Sequence, residues 1–357
     1  MTKTVLVTGA SGFLASYIIS ELLSHDYTVH GTLRNLARSK DEILGRYPAE
    51  QRDRLKLFEV KDLVKGDGLE DAMKGCDGGV LHTASPYQLT VEDPMKDFIE
   101  PAVEGTLTVL KTALSLGISR VVITSSFAAV TDFSKGGPFR SYTYTSHDWN
   151  PTTLSEAVSP GKPGPFVYSA SKTLAEQAAH EFSKENPSVS VTSMNPPMIY
   201  SSPLPGTVKD KKGINTSSNA IYGVIEGDKD REVPWNRLPL FCATEDVAKA
   251  HRKALEVDVE KVRGQRFLLC GGAFTWEDAI RHLSRTKPSL KPRLPKLVSE
   301  SDPTRDRDHG REIAKLDCTP AKEVLGMGEF KGWKEVLEGT VEGLLEIEKG
   351  FEQREEK

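Results

Sequence analysis

Cysteine is scarce in this chain. Cys76, Cys242, Cys270 and Cys318 are far apart and form no Cys-x-x-Cys pair. This argues against a disulfide framework and a thiolate metal site, so the four are expected to be reduced and buried. The eight histidines are equally dispersed, and His180-Glu181 lacks the second histidine of a zinc-protease helix, so no metal is expected. No run approaches the ~18 consecutive apolar residues that a membrane span requires. Met1 to Lys3 lead straight into Val5-Leu6-Val7-Thr8-Gly9 with no apolar leader, and a cytoplasmic protein is expected. Charge of neither sign dominates: 47 Lys and Arg face 51 Asp and Glu, a net charge of −4, spread along the chain. This argues against nucleic acid and anionic membrane as partners. Repeats and low-complexity tracts are absent. Asn215-Thr216-Ser217 spells a glycosylation acceptor and is read as an unused match.

What is present is an ordinary globular composition, 38% hydrophobic and 27% charged over 357 residues, enough for two domains or one large α/β unit. Short apolar runs alternate with longer helical patterns, the rhythm of a parallel sheet. Strands are expected at Val5 to Thr8, Thr28 to Thr32, Leu55 to Glu59, Gly79 to His82, Val121 to Ser125 and Val189 to Asn195. Helices are expected at Gly12 to Ser24, Phe98 to Leu116 and Tyr168 to Lys184. Pro196 to Pro239 reads as loop. Thr244 then reads as the N-cap of a helix through Leu255, Gln265 to Cys270 as a seventh strand, Lys287 to Pro295 as a linker, and Trp333 to Glu348 as a closing amphipathic helix. The expectation is therefore a doubly wound, mainly parallel seven-stranded sheet of the Rossmann type. Residues 1–195 and 240–271 would form the dinucleotide-binding domain, and 196–239 with 272–357 a smaller, discontinuous substrate lobe.

Thr8-Gly9-Ala10-Ser11-Gly12-Phe13-Leu14-Ala15 lies where the first strand gives way to the first helix, the position at which such folds hold pyrophosphate on a helix N-terminus. Gly9 permits the turn and Gly12 the close approach. The third small position is Ala15, where close helix-to-strand packing is the requirement. The carboxylate that usually ends the second strand and binds a ribose 2′-hydroxyl is missing. Arg34, Arg38 and Lys40 stand there instead, and cations suit a 2′-phosphate.

Tyr168-Ser169-Ala170-Ser171-Lys172 places a phenol and an ammonium one helical turn apart, on one face. An ammonium beside a tyrosine favours phenolate, which brings the phenol closer to use as a general acid and base near neutrality. Ser125 and Ser126 close the fifth strand, at the sheet edge where ligands of these folds bind. One of the two hydroxyls can hold a substrate carbonyl, while the other caps the strand end.

Taken together, the glycine loop, the Ser85-Pro86 turn, Thr124-Ser125-Ser126, Tyr168-x-x-x-Lys172 and Asn195-Pro196 resemble the extended short-chain dehydrogenase/reductase family. Within it the chain is most similar to the fungal NADPH-dependent aldehyde and ketone reductases, relatives of the plant dihydroflavonol reductases. The resemblance implies Ser126 as the carbonyl-polarising hydroxyl, Tyr168 as proton donor, and Lys172 as the group that binds the nicotinamide ribose and tunes the tyrosine. It places Gly9, Ser11, Gly12, Phe13, Leu14, Thr83, Ala84 and Ser85 along the cofactor, Asp62 and Leu63 against adenine, and Pro196 near the nicotinamide. The segment Asn195 to Ser201 departs from the family pattern, which often has a glycine after the aromatic.

The resulting expectation is hydride reduction of a small or medium apolar aldehyde or ketone by NADPH, in a monomer or homodimer. Pro86, Phe127, Tyr200, Tyr222 and Trp235 are candidate pocket walls. Alternatives are a reductase of flavonoid-like or other secondary-metabolite carbonyls and a non-catalytic dinucleotide sensor.

Overall fold

The computed structural model describes residues 2–85, 91–204, 207–208, 210–297 and 311–355. Seven parallel strands form the main sheet in the order Arg266–Leu268, Ser190–Asn195, Arg120–Thr124, Gly79–His82, Thr4–Val7, Thr28–Leu33, Leu55–Glu59. The chain starts in the middle, builds outward to Leu55–Glu59, and returns to lay Gly79–His82 on the other side of Thr4–Val7. That reversal opens a crevice at the C-terminal ends of these two strands.

Strand periodicity shows directly in the packing. Val5 and Val7 enter one apolar core, with Ile18, Leu22, Val247 and Ala250 from the helices Phe13–Ser24 and Thr244–Glu256. Leu6 points to the opposite core, with Val109, Leu110 and Ala179 from the helices Glu100–Ser115 and Gly164–Glu185. Both faces of the sheet are therefore covered, as all-parallel sheets require.

The stretch expected to be loop is more ordered than its prolines suggest. Met198–Tyr200 is a strand, and Thr216–Ile225 is a helix whose Ile221, Val224 and Ile225 fill a separate core with Phe241, Phe274, Trp276 and Leu337. The apolar spacing of that helix is short and lies among polar residues, which hid it. Leu240–Ala243 pairs with Met198–Tyr200 and Gly272–Ala273 in a three-stranded sheet. Its alternation sends Cys242 into the main core and Phe241 and Ala243 into the smaller one. Within the expected linker, Leu290 and Leu294 are also buried in the smaller core. The closing helix runs Trp333–Glu355.

Thr244 is not the cap of its helix. Ala243 occupies the cap position, Thr244 is the first helical residue, and its hydroxyl is buried without a partner. Asp246, on the first turn, accepts instead from the distant Lys331 N–H at 2.8 Å. All four cysteines are free thiols, three of them buried and Cys270 partly so. Among the described residues no helix is long and apolar enough to cross a membrane.

Candidate active site

A cleft of about 750 Å³ lies over the crevice, and Gly9, Ser11, Gly12, Phe13, Leu14, Arg34, Arg38, Asp62, Leu63, Thr83, Ala84 and Ser85 all line it. Gly9 takes φ +70°, and a Cβ there would meet the Ala84 Cβ at 3.0 Å. Gly12 caps the first helix with no side-chain hydrogen bond, so the first-turn N–H groups stay available to an anion. Asn35, Ser39 and Lys61 also line the cleft and were not anticipated. Asn35 accepts from Arg38 N–H at 2.9 Å and so starts the helix Leu36–Leu44 that carries Arg38. Arg34 and Arg38 are exposed and form no ion pair among the described residues. Lys40 is exposed on the same helix and does not line the cleft.

A buried histidine ties the two sides of the crevice together. The Thr8 hydroxyl oxygen accepts from Thr83 and Ala84 N–H at 3.1 Å each, so its proton goes to His82 Nδ1 at 2.9 Å. His82 Nε2–H then donates to the Thr106 hydroxyl at 3.2 Å, which donates to the Ala102 carbonyl at 2.7 Å. Every donor is used when the imidazole is neutral. Burial, and then the nearby Lys172 charge, push the His82 pKa down to about 3. Gly9→Ala should cost about 1–2 kcal/mol through its left-handed backbone alone. With the push against Ala84 added, thermal unfolding should fall below wild type, as differential scanning calorimetry would show.

Strand alternation separates the two serines. Ser125 is buried and its hydroxyl donates to Glu176 at 2.6 Å. The half-buried Ser126 accepts from Ala128 N–H at 3.1 Å, capping the short turn Phe127–Ala129, and keeps its own proton for another acceptor. The helix Gly164–Glu185 packs against that turn. It carries Tyr168, half-buried, and Lys172, buried, with the ammonium 6.0 Å from the Tyr168 ring centre. Lys172 Nζ donates to the Thr124 carbonyl at 3.1 Å. Burial lowers its pKa to about 8, opposed by the Glu176 charge. Pro196 is buried beside the serines, its carbonyl accepting from Phe127 N–H at 2.9 Å.

The expected pocket walls are dispersed. Phe127 is buried edge-on against Tyr144 in one cluster, and Tyr200 and Tyr222 lie in the smaller core, where the Tyr222 hydroxyl donates to Glu348 at 2.7 Å. Trp235 is 52% exposed beside Arg237. Pro86 lies outside the described residues.

Residues 5–270 match the model of the NAD dependent epimerase/dehydratase family. The chain belongs to this family. It is 32% identical to the NADPH-dependent methylglyoxal reductase of Saccharomyces cerevisiae over 97% of its own length and 99% of that protein's. Among solved structures, yeast methylglyoxal/isovaleraldehyde reductase complexed with NADPH aligns with TM-score 0.82 at 31% identity, covering 97% of this chain and 99% of that one. A Candida albicans relative, also solved with NADPH, aligns with TM-score 0.84, the same identity and the same coverage.

Proposed function

We propose that this chain is an NADPH-dependent carbonyl reductase acting on small or medium apolar aldehydes and ketones. The observation that carries the reading is the juxtaposition at one strand end. Lys172 is anchored to the Thr124 carbonyl, Ser126 follows two residues on, and Tyr168 stands one turn from Lys172 on the helix packed against the Ser126 turn. The cleft has what the cofactor requires: a glycine turn with an uncapped helix start for the pyrophosphate, and two exposed arginines for a 2′-phosphate. Bound NADPH supplies the hydride. Ser126 donates a hydrogen bond to the substrate oxygen and keeps its proton, Tyr168 protonates that oxygen as charge develops on it, and Lys172 holds the nicotinamide ribose and favours ionisation of the tyrosine. Asp62 and Leu63 take adenine.

In this reading residues 1–195 with 240–271 bind the cofactor, and 196–239 with 272–357 complete the substrate side. A panel of aldehydes and ketones assayed by NADPH oxidation tests the function; binding of NADPH with no turnover on any of them would favour a sensor.

NADPH should be preferred over NADH, since charge-assisted bonds to a 2′-phosphate contribute roughly tenfold to a hundredfold in affinity. Arg34→Ala should reduce that preference by about tenfold. Equal use of both cofactors by wild type, measured as kcat/KM, would remove the assignment.

A further inference from the structure

Beneath this strand end lies a carboxylate that the reaction above does not use. Glu176 is 1% exposed and follows Tyr168 and Lys172 at the same four-residue spacing, so the three share one helix face. Its Oε1 accepts from Arg266 Nε at 2.8 Å, and its Oε2 from Ser125 Oγ at 2.6 Å and Asn195 Nδ2 at 2.9 Å. The same Asn195 amide donates to the Ser126 carbonyl at 3.2 Å. Arg266, also buried, donates from Nη1 to the Ser146 and Asp148 carbonyls at 2.7 Å and lies 3.5 Å over the Trp149 ring. One carboxylate thus gathers residues from three neighbouring strand segments and the Tyr168 helix. A buried ion pair is weak evidence for stability, since apolar replacements are often neutral or better, so this one invites a functional account.

We propose that Glu176 is a positioning residue of the carbonyl-reducing site: clamped by Arg266, it holds the Ser125–Ser126 segment in place and sets a negative charge one turn beyond Lys172. The proposal rests on the active-site reading above. Lys172, Glu176, Ser125, His82 and Thr106 line one cavity of about 20 Å³, room for a single water. Among the described residues the titratable groups around Lys172 are Tyr168 and Glu176 on its own helix and the neutral His82 on Gly79–His82, with Arg266 and His180 behind Glu176. Glu176 is the only anion among them.

Glu176→Gln in the full chain should lower kcat by roughly tenfold to a hundredfold through misplacement of Ser126. It should also move the alkaline limb of the kcat/KM profile about one pH unit lower, because Lys172 loses its proton more readily without the carboxylate. The neutral amide would leave Arg266 without a counter-charge, so Glu176→Gln/Arg266→Gln and Ser125→Ala are measured beside it. The double variant removes the charge imbalance but also the bonds from Arg266 to the Ser146 and Asp148 carbonyls. It should therefore unfold below the wild-type temperature yet, while folded, keep the lowered alkaline limb, which a purely structural role would not move. Ser125→Ala should lower kcat severalfold and leave the limb in place. A folded Glu176→Gln or double variant with the wild-type pH profile overturns the proposal; if neither folds, a wild-type kcat for Ser125→Ala overturns it. Tyr168→Phe in the same assay separates the layers: full turnover there removes the active-site reading, whereas its loss beside unaffected Glu176 variants removes this proposal alone.

Discussion

Tyr168→Phe should lose at least about a hundredfold in kcat, with NADPH affinity changed by less than a few fold. The substitution removes one oxygen from a half-buried ring that packs beside Phe98, Val167 and Ala170, and the apolar contacts of that ring survive. What is lost is chemical. Reduction at the carbonyl carbon leaves negative charge on its oxygen, and a positioned acid typically contributes 10²- to 10⁴-fold over protonation by water. Because the ammonium of Lys172 is anchored to the Thr124 carbonyl at 3.1 Å, removing the hydroxyl leaves Lys172 in place to bind cofactor. Steady-state kinetics with NADPH titration by fluorescence decide the matter. A variant with near wild-type kcat would end the assignment of Tyr168 as proton donor.

The sheet was legible because its signals are local. Alternation in Val5-Leu6-Val7 and the β-branched run Val121-Val122-Ile123 mark strands whose bounds fall within one or two residues of those observed. The glycine loop was legible for the same reason, since strand, turn and helix start are contiguous. Ser125 and Ser126 were not separable from residue type alone, being adjacent hydroxyls at one strand end. Only the partner of each distinguishes them, and Ser125's partner, Glu176, is 51 residues away. Arg266 lies 90 residues beyond Glu176, so no window of sequence contains the ion pair. A signal did exist: Glu176 continues the Tyr168 and Lys172 spacing on a helix face otherwise small and buried, with Ala175 and Ala179 beside it. The aromatic pocket candidates failed to gather for a different reason. Large apolar rings suit a core as well as a pocket, and Tyr200 and Tyr222 joined the smaller core while Trp235 stayed at the surface.

Lys172→Met should remove turnover, weaken NADPH binding, and leave the protein at least as stable as wild type at neutral pH. The three effects have one cause. Lys172 is buried, and burial lowers its pKa from 10.5 to about 8. The unfolded chain therefore binds this proton more tightly than the folded one. Below about pH 8 both states are protonated and folding carries the full desolvation cost; as pH rises from about 8 through 10.5 that cost is lifted, so the lysine's contribution to stability increases with pH in this window. The shift corresponds to about 3 kcal/mol, less about 1–3 kcal/mol for leaving the Thr124 carbonyl without its donor. Methionine keeps the stem's packing and discards the charge. The expected result at pH 7 is a Tm at or a few degrees above wild type, with kcat reduced at least about a hundredfold. The Tm advantage should shrink as pH is raised from about 8 toward 10.5 and wild-type Lys172 sheds its proton. Differential scanning calorimetry across that range reads the stability, NADPH titration the binding and steady-state kinetics the turnover. A Lys172→Met protein that is less stable than wild type at pH 7 yet fully active would show that the ammonium is structural, a core cation satisfied by Thr124 and Glu176 and idle in the reaction.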